Sequence, residues 1–270
     1  MSKSIPQKLR TVITGAGSGL GRAFCLELAP TGAKIVVSDI NRDGADETAE
    51  LIRQNGGEAL VVEADVAQWE SVEALQTKAS QWLGHIDLLI NNAGMGDYGE
   101  FATGNWEKVH GMLDLNIVAV THLTHGFLPE MLKVGRGAIL NVSSLASLLP
   151  IPDFGVYAAS KSYVTDFSEA LRLEVRERGI SVLALCPGPI HTGFGKIAGR
   201  DGVPAVTPIR ELFHVPMEEV VHEALVALQW DWPRVYPGWR VALLAAGISL
   251  LPMAAIRYIM SHRPRSISAE

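Results

Sequence analysis

The sequence has few cysteines, no basic excess and no low-complexity segment, and each shortage excludes a class of protein. Only 2 of 270 residues are cysteine, and neither Cys25 nor Cys186 has metal-ligand spacing around it, so we expect buried thiols and no metal site. The formal net charge of −6 argues against a nucleic-acid partner, which would select a basic surface. The first ten residues, MSKSIPQKLR, lack the apolar run of a secretory signal, so we expect a cytoplasmic protein.

Apolar residues, in contrast, are plentiful. Hydrophobic residues make up 48% of the chain and charged residues 19%, a composition typical of a globular protein with a large core. A chain of 270 residues without internal repeats can form one α/β domain. We therefore expect a single domain over residues 1–270.

The stretch GVYAASKSYVTDF contains Tyr157 and Lys161, which share one face of a helix because they are four residues apart. A nearby ammonium favours the phenolate and lowers the phenol pKa from about 10. Reaching neutrality would require about 4 kcal/mol of differential stabilisation. An isolated Tyr and Lys pair is commonly no more than an exposed pair on a solvated helix face. The function of this pair therefore depends on the rest of the chain.

Near the amino terminus an apolar run, residues 9–14, ends in TGAGSGLG before an amphipathic segment that begins near Arg22. A strand, a glycine-rich turn and a helix together offer backbone N–H groups and a positive helix end to a phosphate. Gly15, Gly19 and Gly21 would permit the turn and the close approach. A plain strand-to-helix turn is the alternative interpretation.

Asp39 ends the second apolar run, residues 34–38. A carboxylate at this place can accept hydrogen bonds from both adenosine ribose hydroxyls and would repel a 2′-phosphate. NAD is therefore favoured over NADP. Arg42 lies nearby and Ser18 is not basic, so this is a preference, and a simple strand-end role for Asp39 stays open.

Strands and helices alternate through the following 150 residues or so of the chain. The predicted strands are 59–63, 86–90, 138–142 and 180–185, and the predicted helices are 43–54, 69–83, about 106–132 and the one that carries Tyr157. This alternation predicts a Rossmann-type, doubly wound parallel sheet with helices on both faces. The glycine turn, Asp39, Asp65 and residues 91–94 should meet at its carboxyl edge. Asn116 lies in the middle of a predicted helix, where asparagine is unfavourable, which makes it a candidate functional residue.

Together these motifs resemble the classical short-chain dehydrogenases/reductases. TGAGSGLG, NNAG, the thirteen-residue interval from Ser144 to Tyr157, YAASK and PGPI occur in that family's order between about residues 9 and 192. The resemblance implies that Tyr157 is the general acid/base, that Lys161 lowers its pKa and binds the nicotinamide ribose, and that Ser144 binds the substrate oxygen. It also implies that Asn116 holds a water that connects Lys161 to solvent, and that the neighbouring Ser143 is structural.

The same resemblance implies a set of cofactor-binding residues around NAD. They are Gly15, Ser18, Gly19, Leu20, Gly21, Asp39, Asp65, Val66, Asn92, Ala93, Gly94, Tyr157, Lys161, Pro187, Gly188, Ile190 and Thr192. No metal is needed for this chemistry. His191 is interpreted as a residue of the loop or of the substrate lining.

The resemblance also divides the chain into a core, residues 9–192, a flap and helix, residues 193–232, and an apolar extension, residues 233–270. Residues 194–215 are rich in Gly and Pro, and a helix is predicted from Pro216 to about Trp230. Sixteen uncharged residues, interrupted by Pro252, precede Arg257 in the segment 241–260. This segment packs against a second subunit or the substrate pocket, contacts a membrane from one side, or spans it.

The sequence therefore predicts an NAD(H)-dependent oxidoreductase that acts on a secondary alcohol or ketone. An apolar neighbourhood of the site favours a lipophilic substrate, and the resemblance implies a homodimer or homotetramer. An NADPH-dependent carbonyl or 3-oxoacyl-thioester reductase is the alternative enzyme, which Asp39 disfavours. A protein that senses the nicotinamide cofactor without turnover is the alternative outside the enzymes.

Overall fold

Seven strands form one parallel sheet in the computed structural model, which describes residues 7–190, 198 and 212–262. They are β1 (Arg10–Thr14), β2 (Lys34–Asp39), β3 (Glu58–Glu63), β4 (Leu88–Asn91), β5 (Gly137–Val142), β6 (Ile180–Leu185) and β7 (Arg234–Val235). Their order across the sheet is β3-β2-β1-β4-β5-β6-β7. The order reverses between β1 and β4, and a crevice opens at the carboxyl ends of strands at such a point.

Helices connect these strands. They are α1 (Gly19–Leu28), α2 (Arg42–Gln54), α3 (Trp69–Leu83), α4 (Trp106–Leu113), α5 (Ala119–Val134), α6 (Gly155–Val175), α7 (Met217–Gln229), α8 (Trp239–Leu250) and α9 (Met253–Ser261). A π-helical turn, Asp114–Val118, joins α4 to α5. Short 3₁₀ segments lie at Ala29–Thr31, Phe101–Thr103, Leu145–Leu148 and Arg176–Arg178.

The sheet is buried on both faces because successive strand residues point in opposite directions. On β1, Ile13 packs into the layer that contains α1, α2 and α7, and Val12 packs into the layer that contains α3, α5 and α6. The centre of β1, Val12 and Ile13, is apolar on both sides of the sheet, as expected for a parallel strand that is buried on both faces. The predicted fold, a doubly wound parallel sheet with helices on both faces, is confirmed.

Most predicted elements agree with the structure within two or three residues, and α3 and β6 agree at both ends. One strand was not predicted and one helix start was predicted wrongly. The strand that was not predicted is β7, because two residues are too few to show a periodic pattern. It joins the sheet through backbone hydrogen bonds such as that from Cys186 N to Val235 O, 2.9 Å. Pro216, predicted as the first helical residue, instead precedes α7 as its N-cap.

Both cysteines are buried and free. His191 and Thr192, at the end of the predicted core, and most of the Gly- and Pro-rich residues 194–215 lie outside the described residues. The division of the chain into core, flap and extension therefore stays a prediction.

Candidate active site

The glycine-rich turn after β1 holds the amino end of α1 open toward the crevice. Gly15 has a φ of 63°, which favours glycine. A Cβ added to Gly21 would lie 2.2 Å from the carbonyl oxygen of Gly15, so only glycine permits this approach. Ser18 makes no side-chain capping bond, and the first turn of α1 contains no acidic residue. The N–H groups and the positive end of α1 are thus left for an anionic ligand.

The NNAG segment after β4 braces this turn. Asn92 Nδ2 donates to the carbonyl oxygens of Thr14, at 2.9 Å, and Gly15, at 3.1 Å. Thr14 Oγ1 accepts in return from the backbone N–H groups of Asn92 and Ala93, both at 3.1 Å. These bonds hold the carboxyl ends of β1 and β4 together, as expected for neighbouring parallel strands.

Asp39 lies at the end of β2 beside the glycine turn. Its Oδ2 accepts from Gly17 N at 2.7 Å and its Oδ1 accepts from Asn41 N at 2.8 Å. Arg42 does not neutralise it, because Arg42 Nε pairs with Asp46 Oδ2 at 2.7 Å. That hydrogen bond raises the pKa of Arg42. The carboxylate of Asp39 therefore lies beside the glycine turn without a cationic partner among the described residues.

Arg22 supports the same turn and was not singled out from the sequence. Its Nη2 donates to Gly17 O at 2.6 Å, and its Nε donates to Thr48 Oγ1 at 2.9 Å. The side chain also pairs with Glu47 at 2.8 Å. From the sequence alone this arginine looks like one on a solvated helix face. Its partners lie in the turn and in α2, and no local sequence pattern links them to Arg22.

Helix α6 brings Tyr157 and Lys161 together in a nearly dry environment. Tyr157 is 7% exposed and Lys161 is 4% exposed. Lys161 Nζ lies 5.8 Å from the centre of the Tyr157 ring and donates to Val142 O at 2.9 Å. Burial lowers the pKa of Lys161 to about 8, because desolvation disfavours the ammonium. The alternative that Tyr157 and Lys161 are merely an exposed pair on a solvated helix face is therefore excluded.

The two serines after β5 face different partners. Ser143 is buried, and its Oγ donates to Lys161 O at 2.7 Å and lies 2.7 Å from Thr165 Oγ1. It thus ties β5 to α6. Ser144 Oγ accepts from Ala146 N at 3.1 Å, a bond that leaves the hydroxyl hydrogen available for donation. Ser144 is therefore the serine whose hydroxyl can serve a bound substrate.

Asn116 is fully buried in the π-helical turn, and such turns are frequent at functional sites. Its Nδ2 donates to Met95 O at 2.9 Å and to Ser160 Oγ at 3.0 Å, and its Oδ1 accepts from Met95 N at 3.0 Å. Ser160 Oγ in turn donates to Tyr157 O at 2.8 Å. Asn116 thus connects the loop after β4 to the helix that carries Tyr157. The water link to Lys161 stays a prediction.

Tyr157 belongs to a small aromatic cluster with Phe154 and Tyr98, which the sequence did not reveal. Phe154 stacks on the Tyr157 ring, with centres 4.2 Å apart and planes 24° apart, and Tyr98 meets Phe154 edge-on at 5.7 Å. A cavity of about 260 Å³ opens nearby, and Asp97 and Asp153 contribute to its lining. The rest of the lining is mostly apolar and includes Phe101, Val109, Met112, Ile151 and Val156. Tyr157 does not line the cavity itself, but its sequence neighbours Gly155 and Val156 do.

The other predicted cofactor residues that the structure describes lie at the same edge of the sheet. Asp65 and the buried Val66 follow β3, and Asp65 Oδ1 accepts from Ala67 N at 3.0 Å. Pro187, Gly188 and Ile190 follow β6, and Pro187 O accepts from Leu145 N at 2.9 Å. This bond joins their loop to the one that carries Ser144.

The arrangement fits a dinucleotide beside a proton-transfer group. The open end of α1 and the close approach at Gly21 suit a pyrophosphate, Asp39 suits an adenosine ribose, and Lys161 suits the hydroxyls of a second ribose. The described residues contain no group of three metal-ligating side chains.

Comparison with known proteins gives a consistent result. A family model described as short chain dehydrogenase matches residues 10–201. Cyclohexanol dehydrogenase from Acinetobacter sp. is 36% identical over 196 residues, which cover 71% of this chain and 76% of that protein. The chain spans only 32% of the length of some other curated relatives.

Solved structures show the same fold. A 7α-hydroxysteroid dehydrogenase in complex with NADH and 7-oxo glycochenodeoxycholic acid has a TM-score of 0.76 and 28% identity, and the match covers 86% of this chain and 92% of that chain. A short-chain dehydrogenase from Sphingobium yanoikuyae in complex with NADPH has a TM-score of 0.79 and 27% identity, and covers 98% of this chain and 99% of that chain.

Proposed function

The chain belongs to the short-chain dehydrogenase family and is an oxidoreductase that uses a nicotinamide cofactor, and from this premise we propose that it transfers hydride between NAD(H) and a lipophilic secondary alcohol or its ketone. The observation that carries the proposal is the buried pair Tyr157 and Lys161 beside Ser144. A phenol, an ammonium and a hydroxyl at one edge of the sheet are suited to moving a proton to or from a substrate oxygen.

The roles of the three side chains follow from their chemistry. In the oxidation direction Tyr157, as phenolate, takes the hydroxyl proton of the alcohol, and in reduction its phenol returns a proton to the developing alkoxide. Ser144 donates a hydrogen bond to the same oxygen as charge develops. Lys161 stabilises the phenolate by its positive charge. The nicotinamide ring, when bound, supplies the hydride acceptor or donor.

The preference for NAD rests on Asp39. Its carboxylate has no cationic partner among the described residues, since Arg42 pairs with Asp46, and an uncompensated negative charge repels a 2′-phosphate. Structural relatives bind either NADH or NADPH. The choice therefore depends on this carboxylate and not on membership of the family.

The lipophilic substrate class rests on the lining beside Tyr157. Met112 and Ile151 line the cavity and pack in one apolar cluster with Phe154, and apolar linings favour substrates that bury hydrocarbon. Among the relatives, one is named for cyclohexanol and another contains a bound 7-oxo bile acid. Both are consistent with a carbocyclic alcohol or ketone as substrate.

The test is the absorbance of reduced cofactor with NAD and NADP in parallel, over secondary alcohols graded from small polyols to steroids. We expect NAD-dependent turnover that increases with substrate hydrophobicity. Tyr157→Phe should reduce kcat by at least about a hundredfold, the contribution of a positioned acid/base, while cofactor binding persists. Tyr163→Phe is the matched control, because Tyr163 lies on the same helix and its hydroxyl contacts Thr121 near the surface.

Three results would contradict the proposal. Faster turnover of polyols than of steroids would exclude a lipophilic substrate. Activity with NADP alone would favour the NADPH-dependent reductase, and full activity of Tyr157→Phe would remove Tyr157 from the mechanism.

A further inference from the structure

The last two helices of the described chain expose an unusual amount of apolar surface. We call residues 239–262, which contain α8 and α9, the C-terminal helical surface. Of its apolar residues, Val241, Ala245 and Ile256 are buried. The large hydrophobic side chains that face solvent are Trp239, Leu243, Leu250, Leu251, Met253, Tyr258 and Ile259, with Leu250 85% exposed.

The shape of this surface differs from a membrane span and from a core helix. No single described helix is long and apolar enough to cross a bilayer, and α8 and α9 reach that length and composition only as a pair bent by 114°. A core helix can pass such a test when it is mostly buried, whereas α8 is exposed around most of its circumference. A helix that is apolar all round requires an apolar environment.

The charge of this region is opposite to that of the whole chain. The protein has a net charge of −6, yet no acidic residue occurs between Asp231 and Glu270, and five arginines do: Arg234, Arg240, Arg257, Arg263 and Arg265. Of these, Arg234 pairs with Glu169. Arg240 stacks on Trp239 at 5.2 Å, and Arg257 has no ion-pair partner among the described residues. The surface thus combines exposed hydrocarbon with uncompensated positive charge.

We propose that the C-terminal helical surface docks on an anionic lipid bilayer from one side, with the apolar side chains of α8 and α9 in the headgroup and acyl boundary. Apolar burial and the attraction of arginines to acidic headgroups act together in this mode of binding. Trp239 and Tyr258 suit the boundary, because amphipathic rings favour the level of the headgroups.

A second copy of the chain is the competing occupant of this surface. In a two-fold symmetric interface the same patch lies on both subunits. The uncompensated arginines of one copy would then approach those of the other, with no carboxylate in the segment to pair with either. An anionic lipid removes this repulsion, and for that reason the charge pattern favours lipid.

The docking surface begins next to the candidate active site. A Cβ added to Gly188 would lie 2.8 Å from Val241 Cγ2, so the first turn of α8 contacts the loop of predicted nicotinamide residues. If the substrate is lipophilic, docking would bring the candidate active site close to the bilayer in which the substrate dissolves. Only this last point depends on the proposed function, because lipid binding is measured without turnover.

The experiment is flotation of the full chain with vesicles of pure phosphatidylcholine and with vesicles that also contain phosphatidylglycerol. We expect stronger binding to the anionic vesicles, weakened by salt. Leu243→Glu combined with Leu250→Glu should reduce the partition coefficient by at least about tenfold, since both apolar contacts are lost. Leu173→Glu is the matched control and should bind like wild type, because Leu173 is 69% exposed on α6.

Arg257→Gln separates charge from hydrocarbon. It should reduce binding to anionic vesicles about fivefold and leave the weak binding to phosphatidylcholine unchanged. Absence of wild-type binding to anionic vesicles would overturn the proposal, as would an equal loss in Leu173→Glu. A wild-type dimer that dissociates in the double variant, without any vesicle binding, would assign the surface to a second copy. The melting temperature of each variant verifies that the exposed substitutions leave the fold intact.

Discussion

Asp39 is the single carboxylate on which the proposed cofactor preference depends. Both of its carboxylate oxygens accept hydrogen bonds from backbone N–H groups, those of Gly17 and Asn41. The side chain is therefore held in one orientation beside the glycine turn. A fixed charge discriminates better than a mobile one, because it cannot move away from an unwanted phosphate. The proposed preference for NAD depends on this residue and can be tested without any substrate.

Asp39→Asn removes the charge and keeps an oxygen that can accept one backbone bond. We expect the ratio of NADP to NAD dissociation constants to fall by about tenfold, since a unit charge a few ångströms from a phosphate contributes about 1 kcal/mol or more. Titration of both cofactors by protein fluorescence measures this ratio. Asp43→Asn, which removes an exposed carboxylate from the first turn of α2, should leave it unchanged. An unchanged ratio in Asp39→Asn would show that another residue selects the cofactor.

At the scale of elements, the strand–turn–helix unit of β1 and α1 depends on contacts too close for any side chain. The approach of Gly21 to the carbonyl of Gly15 lets α1 begin directly after the turn. The π-helical turn around Asn116 is a second local departure from regular geometry. In both places the backbone departs from regular geometry at a predicted site residue.

Gly21→Ala tests the first of these arrangements. We expect the unfolding free energy to fall by about 1–3 kcal/mol, the usual effect of overpacking, and cofactor affinity to fall with it. Gly111→Ala is the matched control, because no heavy atom lies within 4 Å of a Cβ added there, and alanine in α4 should stabilise the protein by about 0.5–1 kcal/mol. Denaturant unfolding with and without cofactor measures both. Equal effects of the two substitutions would contradict the close-contact argument.

At the scale of the whole molecule, charge and polarity are distributed unevenly. The sheet and its helices form two apolar layers and Lys161 is buried, while the positive and apolar C-terminal region lies at the surface. Homodimer or homotetramer formation stays a prediction. Burial of an ionisable group also makes the stability of the whole fold depend on pH.

Lys161 should contribute to this pH dependence in a defined direction. Its pKa is about 8 in the folded chain and 10.5 in the unfolded reference, so the unfolded state binds more protons between these values. Stability from this group therefore rises as pH increases from about 8 to about 10.5. The buried thiol of Cys25, whose pKa burial raises, acts in the opposite direction at high pH, which makes a comparison of variants necessary.

Lys161→Met retains the cysteines and removes the ammonium. The difference in unfolding free energy, wild type minus variant, should increase across that pH window, as measured by urea unfolding at several pH values. Parallel stability curves for the two proteins would show that Lys161 is not desolvated in the folded state.

The sequence by itself determined the order of elements and the family. Residues 69–83 and 180–185 have helix and strand patterns clear enough to be recognised without tertiary contacts. TGAGSGLG, NNAG and YAASK are local motifs, so their residues and spacing can be recognised without knowledge of the fold. The position of Asp39 at a strand end was predictable for the same reason. Family membership and the doubly wound sheet are accordingly confirmed.

Only the tertiary structure decided which of these residues meet and what surrounds them. The stack of Phe154 on Tyr157, the bracing of the turn by Arg22, and the contrast between Ser143 and Ser144 depend on side chains from separate elements. The two-residue strand β7 forms only because β6 is already there to pair with it. The exposure of α8 and α9 likewise follows from packing, since an apolar sequence pattern is the same whether its residues face a core, a partner or a membrane.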